Sequence, residues 1–262
     1  MKKKIYQVHA FNDNLFSGNA AAVCPLNEWL TEELLQKITM ENNLAKTGFY
    51  VKEDNQFNIR CLTPTVEVDL CGHASLAAAF IIFNVEKFSD TVVSFYSGEI
   101  GFLRVTREDE FIALNFPTDI FVHVELSQVL LDGFDVLPIE ALKGKTDYVL
   151  VFENGSQIKS IVPNFPKVAL VDGRSAIVTA IGDKFDFVSR FFSPQSGIDE
   201  GPVTGSAHTA LIPYWAEKLN KVELTAVQLS ARKGCLKFKY QGSRVEISGK
   251  ARLYLTGEIQ SD

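Results

Sequence analysis

Two stretches, Cys71-Gly72-His73-Ala74-Ser75 and Thr204-Gly205-Ser206-Ala207-His208, each open an apolar run of helical length, and they lie about half the chain apart. A glycine at a helix start lets another group approach the backbone closely, and the first amides of a helix have no acceptor inside it. Setting "LCGHASLAAAFI" over "VTGSAHTALIPY" places Gly72 on Gly205. That correspondence predicts a duplicated architecture, each half built round a helix whose open amides can cradle an anion.

The surrounding pattern fits two such halves. Lys4 to Phe11 reads as a strand, and "NDNLFSGNAAAVCP" turns and re-enters a short apolar segment. "TEELLQKITMENN" predicts an amphipathic helix capped by Thr31 and stopping near Asn42-Asn43, and a hairpin follows around Asp54-Asn55. Strand periodicity occurs twice between Thr91 and Pro117, divided at "REDE". In the second half "TDYVLVFEN", "SAIVTAIG" and "DFVSRFFSP" read as strands ahead of the second turn and helix. Further strands close the chain, with Gly234, Gly242, Gly249 and Gly257 at turns.

Composition narrows the function. With 26 basic residues against 32 acidic and a net charge of −6, the Lys and Arg are scattered apart from "MKKK", which argues against a nucleic-acid partner. The apolar run Leu76 to Phe83 is far short of the roughly 20 residues that span a bilayer, so no membrane partner is expected. Gln7, His9, Asn12 and Asp13 interrupt any export signal. The four cysteines show neither CxxC pairing nor zinc spacing and read as reduced thiols of a cytoplasmic protein, with no metal expected. Small-molecule chemistry is the remaining class.

Five blocks, "AFNDNLFSGNAAAVC", "ENNLAKTGFYV", "LTPTVEVDLCGHASLAAAF", "SGIDEGPVTGSAHTALIPYWAEKL" and "QLSARKGCLKFKYQGSRVEISGKARLYLTGEI", resemble in order and spacing the phenazine biosynthesis-like (PhzF-like) isomerase family. The resemblance implies an α+β, diaminopimelate epimerase-like fold: two similar lobes, each a curved, mostly antiparallel sheet around a central helix. The lobes would be residues 1–116, joined by the C-terminal strand 250–262, and residues 117–249. It further implies an isomerase or epimerase that moves a proton on a small anionic, carboxylate-bearing metabolite, without cofactor or metal, at a site between the lobes of a homodimer.

Carried onto this chain, the resemblance marks Lys46, His73 and Ser206 as catalytic, and Asp69, Cys71, Gly72, Gly201, Thr204, Gly205 and Ala207 as substrate-binding. Two positions depart from the family pattern. Lys46 stands where N-L-S-E-T-A-F has its glutamate, and Gly201 stands where G-I-D-E-D-P-V-T-G-S-A has its second aspartate. A ligand-binding relative with impaired catalysis is therefore the alternative reading.

Several residues carry more than one reading. Lys46 is a base if its amine is free and a carboxylate anchor if charged; in the second case Asp69, Asp199, Glu200 or His73 would be the base. Cys71 is a small buried residue or a thiolate helped by His73. Ser206 has a plain reading as a helix cap, and "TGSAH" is not a nucleophile elbow. Glu67 and Asp69 share one face of a strand that could equally face solvent, and His208, inside the second helix, reads as structural.

Overall fold

A computed structural model describes residues 2–54, 56–68, 72–98 and 101–260. Asp69 and Cys71 lie outside the described residues. The chain divides into two units, Met1–Asn115 with Ser248–Asp262, and Phe116–Ile247.

In the first unit β1 (Lys2–Ala10) pairs antiparallel with β2 (Asn19–Leu26) and, on its other edge, with the chain's last strand, Ala251–Gln260. The helix α1 (Glu32–Asn42) then carries the chain over so that β3 (Lys46–Glu53) lies parallel to β2, Ala21 opposite Lys46. Thr31 caps α1 by accepting the Leu34 amide at 3.4 Å, two acids occupy the first turn, and Asn43 ends the helix in the left-handed conformation. β4 (Gln56–Leu62) returns antiparallel to β3, and the two-residue β5 (Glu67–Val68) pairs with β4. After α2 (Gly72–Phe80), β6 (Val92–Ser97) lies parallel to β4, and β7 (Gly101–Glu108) and β8 (Phe111–Pro117) follow antiparallel.

The segment 92–117 thus makes three strands where the sequence pattern predicts two. The buried residues Val93 and Phe95 have the same parity as Leu103 and Val105, so the alternation stays in phase through the reversal and does not mark it.

The second unit repeats this order. β9 (Val122–His123) pairs with β10 (Glu140–Lys143), and α3 (Gln128–Asp132) lies between them in sequence. β10 pairs antiparallel with β11 (Asp147–Val151). The short helices α4 (Gly155–Ser160) and α5 (Phe165–Val168) lead to β12 (Ser175–Ile181), parallel to β11. β13 (Phe187–Ser193) is antiparallel to β12, and β14 (Ile198–Glu200) pairs with β13. Next come α6 (Gly205–Leu219), β15 (Glu223–Gln228) parallel to β13, β16 (Gly234–Tyr240) antiparallel to β15, and β17 (Arg244–Gly249). The series antiparallel, parallel, antiparallel, short antiparallel, parallel, antiparallel runs through β1 to β7 and again through β10 to β16. The central helix enters at the same point of each series, α2 after β5 and α6 after β14.

Each central helix is largely buried, α6 leaving Glu217 and Lys218 of its last turn exposed. Ala74, Leu76, Ala77, Ala78 and Ala79 are all buried, so α2 is apolar round its whole circumference, as a helix inside a wrapped sheet must be. In α6 the Trp215 indole stacks on Phe187 at 5.6 Å and donates to Thr179 Oγ1 at 3.0 Å. A second layer covers the outer faces. Leu35 of α1 packs with Phe49 and Val51, and Leu130, Ile158 and Val168 of α3, α4 and α5 pack with Phe152 and Phe192. Gly257, expected at a turn, lies inside the last strand, β18 (Ala251–Gln260), opposite Ile5. Among the described residues no helix is long and apolar enough to cross a membrane.

Candidate active site

On β3 the side chains of residues 46, 48 and 50 share a face. Gly48 lies against the first turn of α2, where a Cβ on it would stand 3.6 Å from the Cβ of Ala74. Tyr50, two residues on, donates its hydroxyl to Glu86 Oε1 at 2.6 Å, past the far end of the helix. β3 therefore runs alongside α2 in the same direction, and Lys46 precedes Gly48 by two residues on the face turned to the helix, toward its start. Phe49 and Val51 point the other way, toward α1. Lys46 is half-buried and His73 is buried. The first turn of α2 contains no acidic residue, so no carboxylate of its own neutralises the positive helix end. Burial, then the neighbouring Glu86 carboxylate, holds the Tyr50 phenol well above its ordinary range, which keeps it a neutral donor.

The start of α6 is built in the same way from other residues. Thr204 is the N-cap in extended conformation and makes no side-chain cap bond, while the Ala207 amide closes onto the Thr204 carbonyl at 3.2 Å. The amides of Gly205 and Ser206 come before any residue that can reach a helical acceptor. The approach loop is held from beneath by buried Gln228, which accepts the Thr204 amide at 2.7 Å and donates to the Gly201 carbonyl at 2.7 Å. Ser230 donates to the Pro202 carbonyl.

Ser206 does not cap the helix. Its Oγ accepts from both Nη1 and Nη2 of Arg174, each at 3.3 Å. Arg174 in turn donates from Nε to Asp147 Oδ1 at 2.9 Å and from Nη2 to Oδ2, and its guanidinium lies over the Phe191 ring at 5.6 Å. Asp147 is buried and also accepts from the Ser175 hydroxyl at 2.6 Å. The unit thus brings together the predicted Gly201, Thr204, Gly205, Ser206 and Ala207, and adds Arg174, Asp147 and Phe191, which sequence reasoning missed. Their only local sign was a lone arginine ahead of a strand, and Asp147 is far off in sequence.

Other polar residues have structural work. Glu200 is held by Arg190 through bonds of 2.7 and 3.0 Å, and Arg190 also donates to the Ile161 carbonyl at 2.7 Å, so this carboxylate is engaged as a strut. Asp199 is exposed. His208 is fully buried against Phe238, with ring centroids 5.0 Å apart, and its Nδ1 bonds the Thr204 carbonyl at 2.9 Å. Burial pushes its pKa down to about 4, with the Thr204 bond a smaller opposing effect, so the ring is neutral. Among the described residues no group of His, Cys, Asp and Glu converges on a metal-holding arrangement.

The model of the family described as phenazine biosynthesis-like protein matches residues 8–257. The chain belongs to the phenazine biosynthesis-like family. An uncharacterized isomerase of Pseudomonas aeruginosa is 46% identical over 261 residues, with 99% of each chain covered. A PhzF-family protein of Enterococcus faecalis matches the whole structure with a TM-score of 0.97 at 40% identity, covering 100% of both chains. A hydroxyproline epimerase of Agrobacterium vitis matches with a TM-score of 0.62 at 10% identity, over 98% of this chain and 92% of that one, and shares the fold. The fold is the diaminopimelate epimerase-like α+β fold, and the PhzF-like resemblance read from the five sequence blocks holds over nearly the full length.

Proposed function

We propose that this PhzF-like protein is a cofactor-independent isomerase or epimerase that moves a proton on a small carboxylate-bearing metabolite held between the starts of α2 and α6. The observation that carries the reading is the repetition. Each unit has a largely buried central helix that begins at a glycine and has no acid in its first turn; Arg174 bonds Ser206 at the start of α6, and Lys46 lies two residues before Gly48 on the face of β3 turned to α2. A carbon acid that loses its proton becomes an enolate-like anion, and open amides and cations that already face it stabilise that charge without reorganising. Lys46, in the acid/base place, exchanges the proton; His73 and Ser206 orient the substrate, and the amides following Gly72 and Gly205 hold its charge.

A panel of small amino and hydroxy acids incubated in deuterium oxide, followed by proton NMR, tests this. The natural protein exchanges the proton α to a carboxylate, and Lys46→Gln loses that exchange by at least a hundredfold. Exchange that persists in Lys46→Gln moves the base elsewhere. Binding of a panel member with no exchange by the natural protein would make the chain a ligand-binding relative instead, the reading to which the Lys46 and Gly201 departures point.

A further inference from the structure

The unit Phe116–Ile247 contains a charged relay, Asp147, Arg174 and the Ser206 hydroxyl, whose first two members lie outside the five sequence blocks. We infer that Arg174 is a positioning residue, fixed by Asp147, that commits the Ser206 hydroxyl to donating its hydrogen away from the guanidinium and toward the open end of α6. This rests on the proposed function for the identity of the acceptor, a carboxylate oxygen of the substrate.

The chemistry follows from the inventory of donors and acceptors. A serine hydroxyl has two acceptor positions and one donor. Both Nη groups of Arg174 donate to Ser206 Oγ at 3.3 Å, so the acceptor side of the oxygen is turned to a cation that repels the hydroxyl hydrogen. The hydrogen therefore points away. Arg174 cannot swing off this task freely, because Nε and Nη2 grip the two oxygens of Asp147, its plane lies over Phe191, and its own carbonyl accepts from Ser193 Oγ at 2.5 Å. Asp147 is itself buried and fixed by the Ser175 hydroxyl. One edge of the guanidinium is taken up by Asp147 and the other is left to Ser206. Ser206 is also ruled out as a nucleophile by the same bonds: its lone pairs face a cation, and the imidazole of His208 is turned to the Thr204 carbonyl.

The internal repeat supplies an independent reason. Asp147 and Ser175 open the parallel β11–β12 pair as Ala21 and Lys46 open the β2–β3 pair. Arg174 thus precedes by one residue the place that Lys46 holds in the other half. Both copies of the topology put a cation where the third strand of the series begins, beside the central helix.

A thiol at position 206 reads the relay without any ligand. In Ser206→Cys, the pH profile of iodoacetamide alkylation at that residue, followed by peptide-resolved mass spectrometry, should have its midpoint below the ordinary thiol value of about 8.5, because a guanidinium and a helix start favour the thiolate. Adding Asp147→Asn with Arg174→Gln removes the ion pair without stranding a buried charge, and the midpoint should rise by at least one pH unit. Arg174→Lys, which keeps the charge and loses the fork, should raise it by less and serves as the second background should the neutral pair fold poorly. A midpoint unmoved in these backgrounds overturns the inference, whereas a merely structural arginine would change the unfolding temperature and leave the profile alone. Malonate at millimolar concentration separates the two layers. Slowed alkylation by malonate in the Arg174 background, lost with the neutral pair, supports the acceptor assigned here; a profile that depends on Arg174 with no malonate protection keeps the relay and sinks the carboxylate reading of the site.

Discussion

Gly48 lies against Ala74, close enough that a Cβ on the glycine would meet the alanine Cβ and carbonyl oxygen at 3.6 Å, an ordinary packing distance. The family motif has alanine here, and the backbone of Gly48 is not in the left-handed region. Gly48→Ala should therefore stabilise the protein by about 0.4 to 1 kcal/mol, by restricting the unfolded chain and filling the space beside α2. Urea unfolding measures it; a loss of stability would mean that β3 and α2 are closer than these distances.

Gly201 is the opposite case. A Cβ there would stand 2.7 Å from Thr204 Oγ1 and 2.9 Å from Phe191 Cδ1, with the Gly201 amide and carbonyl already tied to the Phe191 carbonyl and Gln228. Restoring the family aspartate by Gly201→Asp should cost roughly 1 to 3 kcal/mol from overpacking, and Thr204→Ala should recover part of that cost. The two substitutions couple because they share one contact, so a thermodynamic cycle of the four proteins should be non-additive by at least 0.5 kcal/mol. Returning acid chemistry to the site by Lys46→Glu together with Gly201→Asp thus needs Thr204→Ala as a third change.

The pH dependence of folding should carry the mark of His208. An unfolded histidine titrates near 6.5, and this buried one is held down to about 4. Below pH 6.5 the unfolded chain takes up a proton that the folded chain refuses. The contribution is fully present above pH 6.5, falls as pH drops, and levels off once the folded imidazole also protonates, a loss of roughly 3 kcal/mol over that window. Chemical unfolding between pH 4 and 7 reads this directly. His208→Phe keeps the stacking on Phe238 and should remove that share of the slope; a slope identical in both proteins would assign it to carboxylates instead.

Much of this was written locally in the chain. Thr31 before two acids, and Asn42-Asn43 after the last helical turn, fix α1 because capping depends on neighbours in sequence, and Gly72 and Gly205 are the first residues of α2 and α6 for the same reason. The relay at Ser206 was not legible, since Arg174 meets Asp147 only through the parallel register of β11 and β12, and Ser206 only after α6 is packed inside the sheet. The cap reading of Ser206 failed because a charged partner from a distant loop outcompetes the weak local bond to a backbone amide. Short α3, α4 and α5 escaped notice because one or two turns give too little periodicity to read, and Gly257 is held in the strand by its long antiparallel pairing with β1, which a local turn signal does not reveal.

The reaction itself should show what kind of group Lys46 is. An amine abstracts a proton only when it is unprotonated, and an unperturbed lysine is mostly protonated below about pH 10. Exchange in which an amine is the base should rise tenfold per pH unit on the arm where that amine is protonated. Lys46→Glu, which places a carboxylate at the same start of β3, should move that rising arm several units toward acid, because glutamate is already ionised near neutrality. Should the natural protein and Lys46→Glu share one profile, the proton is moved by another group and Lys46 serves to hold the substrate carboxylate, in which case Lys46→Gln raises KM and leaves kcat nearly unchanged.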